Sequence, residues 1–369
     1  MKRFLSILVL ILTIISVSGC NQSKEADKSL DSNEVVEEES KRDKLDEEKN
    51  DEEIEEIADP KEQIDLSLKP NENGEVMVLM YHGITETEDV WDRTYDNFKK
   101  DLKVLYEKGY RPISLEDFVN NNITTEAGYT PIVLTFDDGR QNNFNIIEEN
   151  GDKIVDPNSA VGILEEFHKD HTNFPLEATF FINGTNPFRQ PELIEYKLNY
   201  IIDKGMDIGN HTINHNDMSD KKNQDPEKIQ EYIGKEVEFI NSIISEYNVN
   251  TYALCNGGRP DEKYEKYLEE GTYEGTSYKN IAILNVGWKP NVSPISSDFN
   301  PLSIQRVRAS ETQVDGVGMY DWIESFDKNP SRRFISDGNK DIVTIPKNEE
   351  EKIDKDKLDN KELYIYESN

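Results

Sequence analysis

The feature that most constrains the fold is a short apolar run that ends in two adjacent carboxylates. Residues 131–136 read Pro-Ile-Val-Leu-Thr-Phe, and Asp137 and Asp138 follow directly. A near-continuous apolar run of this length is typical of a strand that is buried on both faces of a parallel sheet. A second run of the same character spans residues 75–84 and carries His82 near its end. We therefore expect the chain to fold around a buried parallel sheet.

Strand-like and helix-like segments alternate along the rest of this region. Helices are predicted over residues 94–110, 160–168, 191–204, 226–247 and 321–326, and further strands over 176–183, 207–209, 251–255, 281–286 and 303–309. Apart from its one helix, the stretch 139–175 is expected to be irregular. Six or more strand–helix units indicate an α/β fold with a closed or nearly closed β/α barrel.

Polar, glycine-bearing segments follow several of the predicted strands. The carboxyl ends of parallel strands share one face of a barrel, so these segments are expected to meet there. His211 and His215 are four residues apart, close enough to chelate one ion together with Asp138. Asp137 would remain free to act as a general base toward water. Alone, Asp-Asp-Gly after a strand is ordinary turn chemistry; its combination with the histidine pair indicates a metal site.

Two of these segments resemble the motifs of a known family. Thr135–Gly139 and His211–His215 are similar to the first two motifs of the NodB-like polysaccharide deacetylases, carbohydrate esterase family four. The resemblance extends over residues 76–346 and implies a distorted (β/α) barrel of the NodB-homology type. It also implies removal of acetyl groups from N-acetylhexosamine units, with a metal-activated water as nucleophile.

By position, the resemblance assigns roles to four residues. Asp137 corresponds to the catalytic base, and Asp138, His211 and His215 to the metal ligands. The family implies zinc, although two histidines and a carboxylate also accept cobalt, nickel or iron.

The third family motif is altered in this chain. Its place is taken by Ala-Leu-Cys-Asn-Gly-Gly at residues 253–258, without the usual proline. The backbone N–H of Asn256 remains a candidate oxyanion donor. We interpret Cys255 as a buried residue near a strand end rather than as a nucleophile.

Two further catalytic groups of the family have no obvious counterpart. No histidine follows His215, so the late general acid of the family is missing. His82 is a candidate replacement, because Tyr-His-Gly resembles the early motif of the permuted deacetylases that act on poly-N-acetylglucosamine; the alternative is a packed strand-end histidine. Arg259, Arg306 and Arg308 are all candidates for the arginine that orients the base.

A tryptophan late in the chain is a further candidate for substrate contact. Asp321 and Trp322 are similar to the Asp-Trp pair with which the family lines its sugar groove. A tryptophan in the hydrophobic core is an equally good interpretation of Trp322.

The first 20 residues have the pattern of a lipoprotein signal peptide. A basic start precedes an apolar run of about 14 residues, too short for the ~20 that span a bilayer, and small residues lead to Cys20. The run resembles a lipobox, which implies a lipidated Cys20 and attachment to the outer face of a cell membrane, with a Gram-positive cell wall as its setting. An ordinary cleaved signal with an incidental cysteine is the alternative.

Composition divides the remainder into two parts. Residues 21–70 hold 19 acidic and 8 basic side chains and no aromatic residue, which is typical of a disordered tether. Residues 71–369 are then the deacetylase-like domain. The net charge of −33 argues against a nucleic-acid partner, and we expect a monomer.

The sequence therefore predicts a lipid-anchored, metal-dependent N-deacetylase that acts on a cell-wall or surface amino-sugar polymer such as peptidoglycan or poly-N-acetylglucosamine. The altered third motif and the missing late histidine leave an alternative, a catalytically impaired lipoprotein that binds glycan without turnover. A solute-binding lipoprotein would leave the paired carboxylates and histidines unexplained.

Overall fold

The computed structural model describes residues 59–368. The predicted signal peptide, the lipidation site Cys20 and residues 21–58 of the predicted tether lie outside the described residues. Two 3-10 turns, Pro60–Gln63 and Leu66–Leu68, come before residue 71, and the Ile64 side chain between them is buried. The folded part of the chain thus includes residues that composition assigned to the tether.

Sixteen strands and seven α-helices are present between residues 59 and 368. The strands are β1 (Met77–Tyr81), β2 (Gly83–Thr85), β3 (Asp92–Thr94), β4 (Tyr110–Pro112), β5 (Thr130–Phe136), β6 (Ile146–Glu149), β7 (Asp152–Val155), β8 (Thr179–Ile182), β9 (Asp207–Asn210), β10 (Thr251–Ala253), β11 (Glu270–Tyr273), β12 (Thr276–Lys279), β13 (Ala282–Leu284), β14 (Val307–Arg308), β15 (Ile342–Pro346) and β16 (Glu362–Tyr366). The helices are α1 (Tyr95–Glu107), α2 (Leu115–Val119), α3 (Ala160–Asp170), α4 (Ile194–Asp203), α5 (Pro226–Ile243), α6 (Lys266–Glu269) and α7 (Met319–Lys328).

The main sheet is parallel throughout. Its strands follow the order β13-β10-β9-β8-β5-β1-β14. Two strands pair with the same side of β5: β4 with its first half and β8 with its second half. β1 and β5 are buried along their whole length, as their apolar runs predict. The predicted α/β barrel architecture is confirmed in the form of a curled parallel sheet flanked by helices.

The two edges of this sheet are linked by the segment that contains β14. Ile304 exchanges backbone hydrogen bonds with residues 283 and 285 at the β13 edge. Three residues later, Val307 pairs with Leu79 of β1. Residues 304–308 therefore bridge the gap between the sheet edges, and Arg306 lies between the two points of attachment.

The helices form where capping residues and apolar spacing coincide. The side chain of Thr94 caps α1 through the Asn97 N–H, and that of Asp225 caps α5 ahead of Pro226 at its first position. The buried face of α5 carries apolar residues at helical spacing, namely Ile229, Ile233, Val237 and Ile240. These side chains join the largest hydrophobic cluster, which fills the space between the sheet and its helices.

Four small sheets were not predicted, one of which is the parallel pair of β2 and β3. The hairpin of β6 and β7 lies within the stretch 139–175, which was expected to be irregular, and its strands are largely exposed. A second hairpin joins β11 and β12, and β15 pairs in parallel with β16. The strands of the two hairpins are short and largely exposed, so they carry little apolar periodicity for the sequence to reveal. β15, in contrast, is buried along its whole length, and its apolar run was overlooked. Among residues 59–368, no helix is long and apolar enough to cross a membrane.

Candidate active site

A cavity of about 540 Å³ lies where the carboxyl ends of the sheet strands converge. Three strands contribute residues from just beyond their ends: His82 follows β1, Asp137 and Asp138 follow β5, and His211 follows β9, with His215 four residues further along the same loop. The structure thus brings together the residues that the two sequence motifs and the early Tyr-His pair single out.

Asp137 forms a buried ion pair with Arg306. The guanidinium donates from Nη1 to Oδ1 at 2.7 Å and from Nη2 to Oδ2 at 2.8 Å, and both side chains are almost completely buried. Burial by itself would raise the pKa of Asp137, but Arg306, with His211 and His82, outweighs it and holds this pKa well below its usual range. Asp137 is therefore an ionised carboxylate of fixed orientation, and of the three arginines considered, Arg306 is the one that orients it.

Asp138 faces the histidine pair. Its Oδ1 lies 3.6 Å from His211 Nε2 and 3.5 Å from His215 Nε2. Nitrogen and oxygen ligands of a tetrahedral zinc ion lie about 3.3 to 3.5 Å apart, since each is roughly 2.0 to 2.2 Å from the metal. Both oxygen–nitrogen distances are therefore close to what two ligands of such an ion require, and the donor chemistry is suitable.

Neighbouring groups hold these three side chains in place. The Nδ1 atom of His211 lies 2.8 Å from the Ala253 carbonyl oxygen, which orients the ring so that Nε2 faces the cavity. Burial lowers the pKa of His211, which favours the neutral imidazole that binds metals. Arg140 donates through Nε to Asp138 Oδ2 at 3.1 Å and fixes the second oxygen of that carboxylate.

The backbone turns at two of these positions are unusual. Asp138 and His215 both have positive φ angles, 75° and 52°. Such left-handed conformations are uncommon in residues other than glycine and are found preferentially at functional sites.

Cys255 is a second neighbour of the histidine pair. Ligand atoms of His211, His215 and Cys255 lie within 4.8 Å of one another. The Cys255 thiol, however, is buried and donates to the His211 carbonyl oxygen at 3.2 Å, and burial raises its pKa. A thiol with a raised pKa is a poor metal ligand, because the thiolate is the binding form. Its protonated state leaves the Asp138 carboxylate as the better candidate for the third ligand.

His82 lines the cavity next to Asp137. Its Nε2 is 3.9 Å from Asp137 Oδ2, and its ring is 5.0 Å from that of Trp91. Burial lowers the pKa of His82 to about 4, although Asp137 and Asp138 oppose the shift. Burial therefore favours the neutral imidazole at pH 7.

The remaining sequence candidates occupy different places. Asn256 lines the cavity and has a positive φ of 53° in the turn after β10. Trp322 lies on α7 and is not among the cavity residues; its Nε1 donates to the Trp288 carbonyl oxygen at 3.0 Å. Their roles in substrate binding stay predictions.

Among the cavity-lining side chains that sequence reasoning missed are Trp91, Arg140 and Arg189. The position of Arg140, two residues after Asp138, was a usable signal for a contact with that carboxylate. Trp91 and Arg189 lie in loops without a motif, and only the tertiary structure brings them to the site.

The cavity thus combines an ionised, arginine-bound carboxylate with a separate set of side chains that could bind a metal ion. This division suits hydrolysis, in which one group accepts a proton while a metal polarises the substrate.

Comparison with family models matches residues 125–274, 150 of the 369 residues, to the family described as Polysaccharide deacetylase. The match supports a polysaccharide deacetylase domain in this chain. It includes Asp137, Asp138 and both histidines, whereas His82 and Arg306 lie outside it.

Solved structures provide a second comparison. A Streptococcus pyogenes deacetylase, PplD in complex with acetate, aligns with a TM-score of 0.49 at 16% identity, over 68% of this chain and 97% of that one. A Bacillus anthracis protein provisionally described as a polysaccharide deacetylase gives 0.48 at 22% identity, over 65% and 67%. IcaB from Ammonifex degensii gives 0.46 at 13%, over 67% and 97%. Comparison with curated proteins found no match.

Proposed function

We propose that this protein is a metal-dependent N-deacetylase of an amino-sugar polysaccharide. The observation that carries the proposal is the arrangement of side chains at the cavity. The Nε2 atoms of His211 and His215 lie 3.6 and 3.5 Å from Asp138 Oδ1. Asp137 is bound separately by Arg306. Asp138, His211 and His215 would hold a divalent ion, with zinc, cobalt and nickel all compatible with this donor set. When bound, the ion supplies Lewis-acid polarisation of the amide carbonyl and lowers the pKa of water.

The protein's own residues would divide the proton transfers between them. Asp137 is ionised and is placed to accept a proton from the attacking water. His82 is placed to donate a proton to the departing amine nitrogen. Because burial favours the neutral form of His82, it must first receive that proton. Asp137 Oδ2, 3.9 Å away, would pass on the proton it takes from water either through one bridging water or after a small approach of the two groups. The backbone N–H of Asn256 is the candidate donor to the developing oxyanion.

The test is acetate release by the full-length protein after zinc or cobalt loading, with N-acetylglucosamine oligomers and peptidoglycan as substrates. We expect metal-dependent release. Asp137→Asn and His82→Gln should each lower kcat by roughly 10²- to 10⁴-fold, the usual contribution of a general base or acid. His168→Gln is the matched control, because His168 lies on α3 and does not line the cavity.

Failure of this test has two forms with different meanings. Metal binding and glycan retention without acetate release would favour the alternative, a glycan-binding protein without turnover. A protein that binds neither metal nor glycan would contradict both functions.

We also propose that a lipid on Cys20 attaches the protein to the outer face of a cell membrane. The support is the sequence pattern of residues 1–20, in which an apolar run and small residues precede the cysteine. Two or more acyl chains give stable anchoring, since each buried CH₂ contributes about 0.8 kcal/mol. An acidic tether would then extend the domain toward polymer in the wall.

A further inference from the structure

One arginine at the cavity has no role in the mechanism proposed above. Arg189 lines the cavity, and its side chain is exposed. Its Nη1 donates to the Asn186 carbonyl oxygen at 3.2 Å. No carboxylate among residues 59–368 forms an ion pair with it. In a chain with 75 acidic and 42 basic side chains, an arginine without an acidic partner at the mouth of a cavity requires an explanation.

The backbone that presents Arg189 is strained. Phe188 and Arg189 are consecutive and have positive φ angles of 56° and 54°. Neither is a glycine, and each such residue costs on the order of 1 to 2 kcal/mol. Strain of this kind persists only where the surrounding structure fixes it.

Three contacts of Phe188 fix the strained turn. Its N–H donates to the Gly139 carbonyl oxygen at 2.6 Å, directly after the Asp137–Asp138 pair. Its ring is fully buried against Phe144 and Phe180. Its carbonyl oxygen accepts a hydrogen bond from Lys197 Nζ at 3.0 Å. The turn that carries Arg189 is therefore hydrogen-bonded to the loop that contains Asp137 and Asp138.

Lys197 makes this attachment unusual. Its side chain is completely buried on α4, and its ammonium donates to the carbonyl oxygens of Phe144 and Phe188, at 2.7 and 3.0 Å. No carboxylate in the described part of the chain forms an ion pair with it. A buried ammonium is costly unless it is fully hydrogen-bonded. Here one of its hydrogen bonds goes to the backbone of Phe188, so Lys197 helps to fix the position of the turn that carries Arg189.

The acidic side chains around the cavity are paired with arginines other than Arg189. Asp137 is neutralised by Arg306, and Asp138 is bound by Arg140, which also contacts Asp92. A divalent ion on the ligands would add two positive charges. A second guanidinium without an acidic partner, that of Arg308, lies 5.2 Å from the ring of Trp91 at the cavity wall. The carboxylates of Asp92, Asp137 and Asp138 balance the guanidiniums of Arg140, Arg189 and Arg306. A divalent ion on the ligands would therefore make the cavity positively charged, in a protein of net charge −33.

From these observations we propose that Arg189 binds an anionic group on the substrate, so that the polymer deacetylated here carries a carboxylate or a phosphate next to the N-acetylated sugar. Guanidinium binds both anions through paired N–H donors. The inference rests on the proposed deacetylase function and narrows its substrate class. A neutral N-acetylglucosamine polymer would leave the charge of Arg189 without a partner.

The experiment compares three oligosaccharides with the metal-loaded, full-length protein. One is a neutral N-acetylglucosamine oligomer, the second contains N-acetylmuramic acid with its carboxylate, and the third is an N-acetylglucosamine oligomer bearing phosphate. We expect one anionic oligomer to have a kcat/KM at least about tenfold above that of the neutral one, falling as salt rises from ~50 to ~500 mM. Which of the two is preferred distinguishes a carboxylate from a phosphate.

Variants assign the preference to Arg189. In Arg189→Gln, kcat/KM for the preferred anionic oligomer should fall about five- to tenfold, mainly through KM, with less than about a twofold change for the neutral oligomer. Arg189→Lys should recover part of the loss, because it restores the charge but not the paired donors. Arg333→Gln is the control; it removes the same charge at a site where the arginine contacts Lys108 and Tyr110 instead of the cavity.

Equal effects of Arg189→Gln on anionic and neutral oligomers would overturn the inference, as would a preference for the neutral oligomer. If the wild-type protein releases no acetate from any of the three, the proposed function fails first. The dissociation constants of the same oligomers then test Arg189 separately, and tighter binding of an anionic oligomer that disappears in Arg189→Gln would still support its role.

Discussion

At the scale of single residues, the site depends on pairing each carboxylate with its own arginine. Arg306 holds Asp137 by two hydrogen bonds, and Arg140 holds the outer oxygen of Asp138. This pairing suits the roles we propose, with Asp137 as the base and Asp138 as a metal ligand, although the two are adjacent in sequence. The pairing also determines the pH range over which the base is ionised.

Replacement of Arg306 should shift the pH dependence of activity. The guanidinium lowers the pKa of Asp137 against the effect of burial, so in Arg306→Gln this pKa should rise. The acidic limb of the kcat/KM profile, which reports protonation of the base, should move toward neutral pH. Arg306→Lys should shift it less, because one charge remains. Measurement of kcat/KM from pH 4 to 9 checks this order.

Stability provides a second readout for the same variant. Loss of one partner from a buried ion pair costs about 3 to 5 kcal/mol, so Arg306→Gln should unfold at a lower denaturant concentration. The double variant Arg306→Gln/Asp137→Asn should recover part of that loss. An acidic limb that stays in place in Arg306→Gln would contradict the assignment of Arg306 as the residue that keeps Asp137 ionised.

At the scale of elements, the site is supported by groups on the helix behind it. Glu236 lies on the buried face of α5, and its Oε2 accepts a hydrogen bond from the Gly184 N–H at 2.9 Å. Its other oxygen is buried and has no hydrogen-bond partner. Gly184 follows Asn183, which lines the cavity. The contact therefore connects α5 to the loop after β8.

The protonation of Glu236 should make stability depend on pH. Burial raises its pKa to about 8 from the 4.5 of an unburied side chain. Between these values the folded state holds a proton that the unfolded state has lost, so stability is full below about pH 4.5 and falls as pH rises to about 8. In Glu236→Gln this pH dependence should disappear. In the wild-type protein, titration of Glu236 should lower the free energy of unfolding by roughly 3 to 5 kcal/mol between pH 4.5 and pH 9.

Urea unfolding of the wild-type protein and Glu236→Gln from pH 5 to 9 measures the difference. Glu238→Gln is the matched control, because Glu238 is exposed on the same helix. A wild-type stability that is flat over this range, or a slope that Glu238→Gln also removes, would show that Glu236 is not the titrating group.

At the scale of the whole molecule, the net charge and the proposed membrane attachment both affect how the protein meets its polymer. The net charge of −33 keeps the protein soluble and repels anionic polymers in general. Arginine side chains at the cavity would give an anionic substrate one favourable place of approach. Such an enzyme gains from being held close to its polymer, which is the role we propose for the anchor and tether.

Replacement of Cys20 should release the protein from the membrane. In Cys20→Ala the acyl acceptor is absent, so we expect the chain to lose the membrane fraction and any incorporation of labelled fatty acid. Cys255→Ala is the control, because Cys255 is buried in the folded domain. Cell fractionation measures the membrane association, and metabolic labelling measures the incorporation of fatty acid. Equal labelling of the wild-type protein and Cys20→Ala would contradict the proposal.

The sequence by itself determined the class of fold and the centre of the site. Apolar runs predicted the buried strands, and helical spacing predicted α1, α3, α4, α5 and α7 within a few residues. Asp137, Asp138, His211 and His215 were found because each pair lies close together along the chain. Local spacing of this kind is visible without a structure, since neighbours in sequence are neighbours in space.

Only the tertiary structure decided which distant residues complete the site. Arg306 is 169 positions from the carboxylate it binds, and the sequence offered two other arginines with equal claim. Trp91, Arg189 and the buried Lys197 carry no motif, and the β6–β7 hairpin carries no clear periodicity. The physical reason is that these contacts depend on how the sheet curls and where its edges meet, which no local pattern encodes.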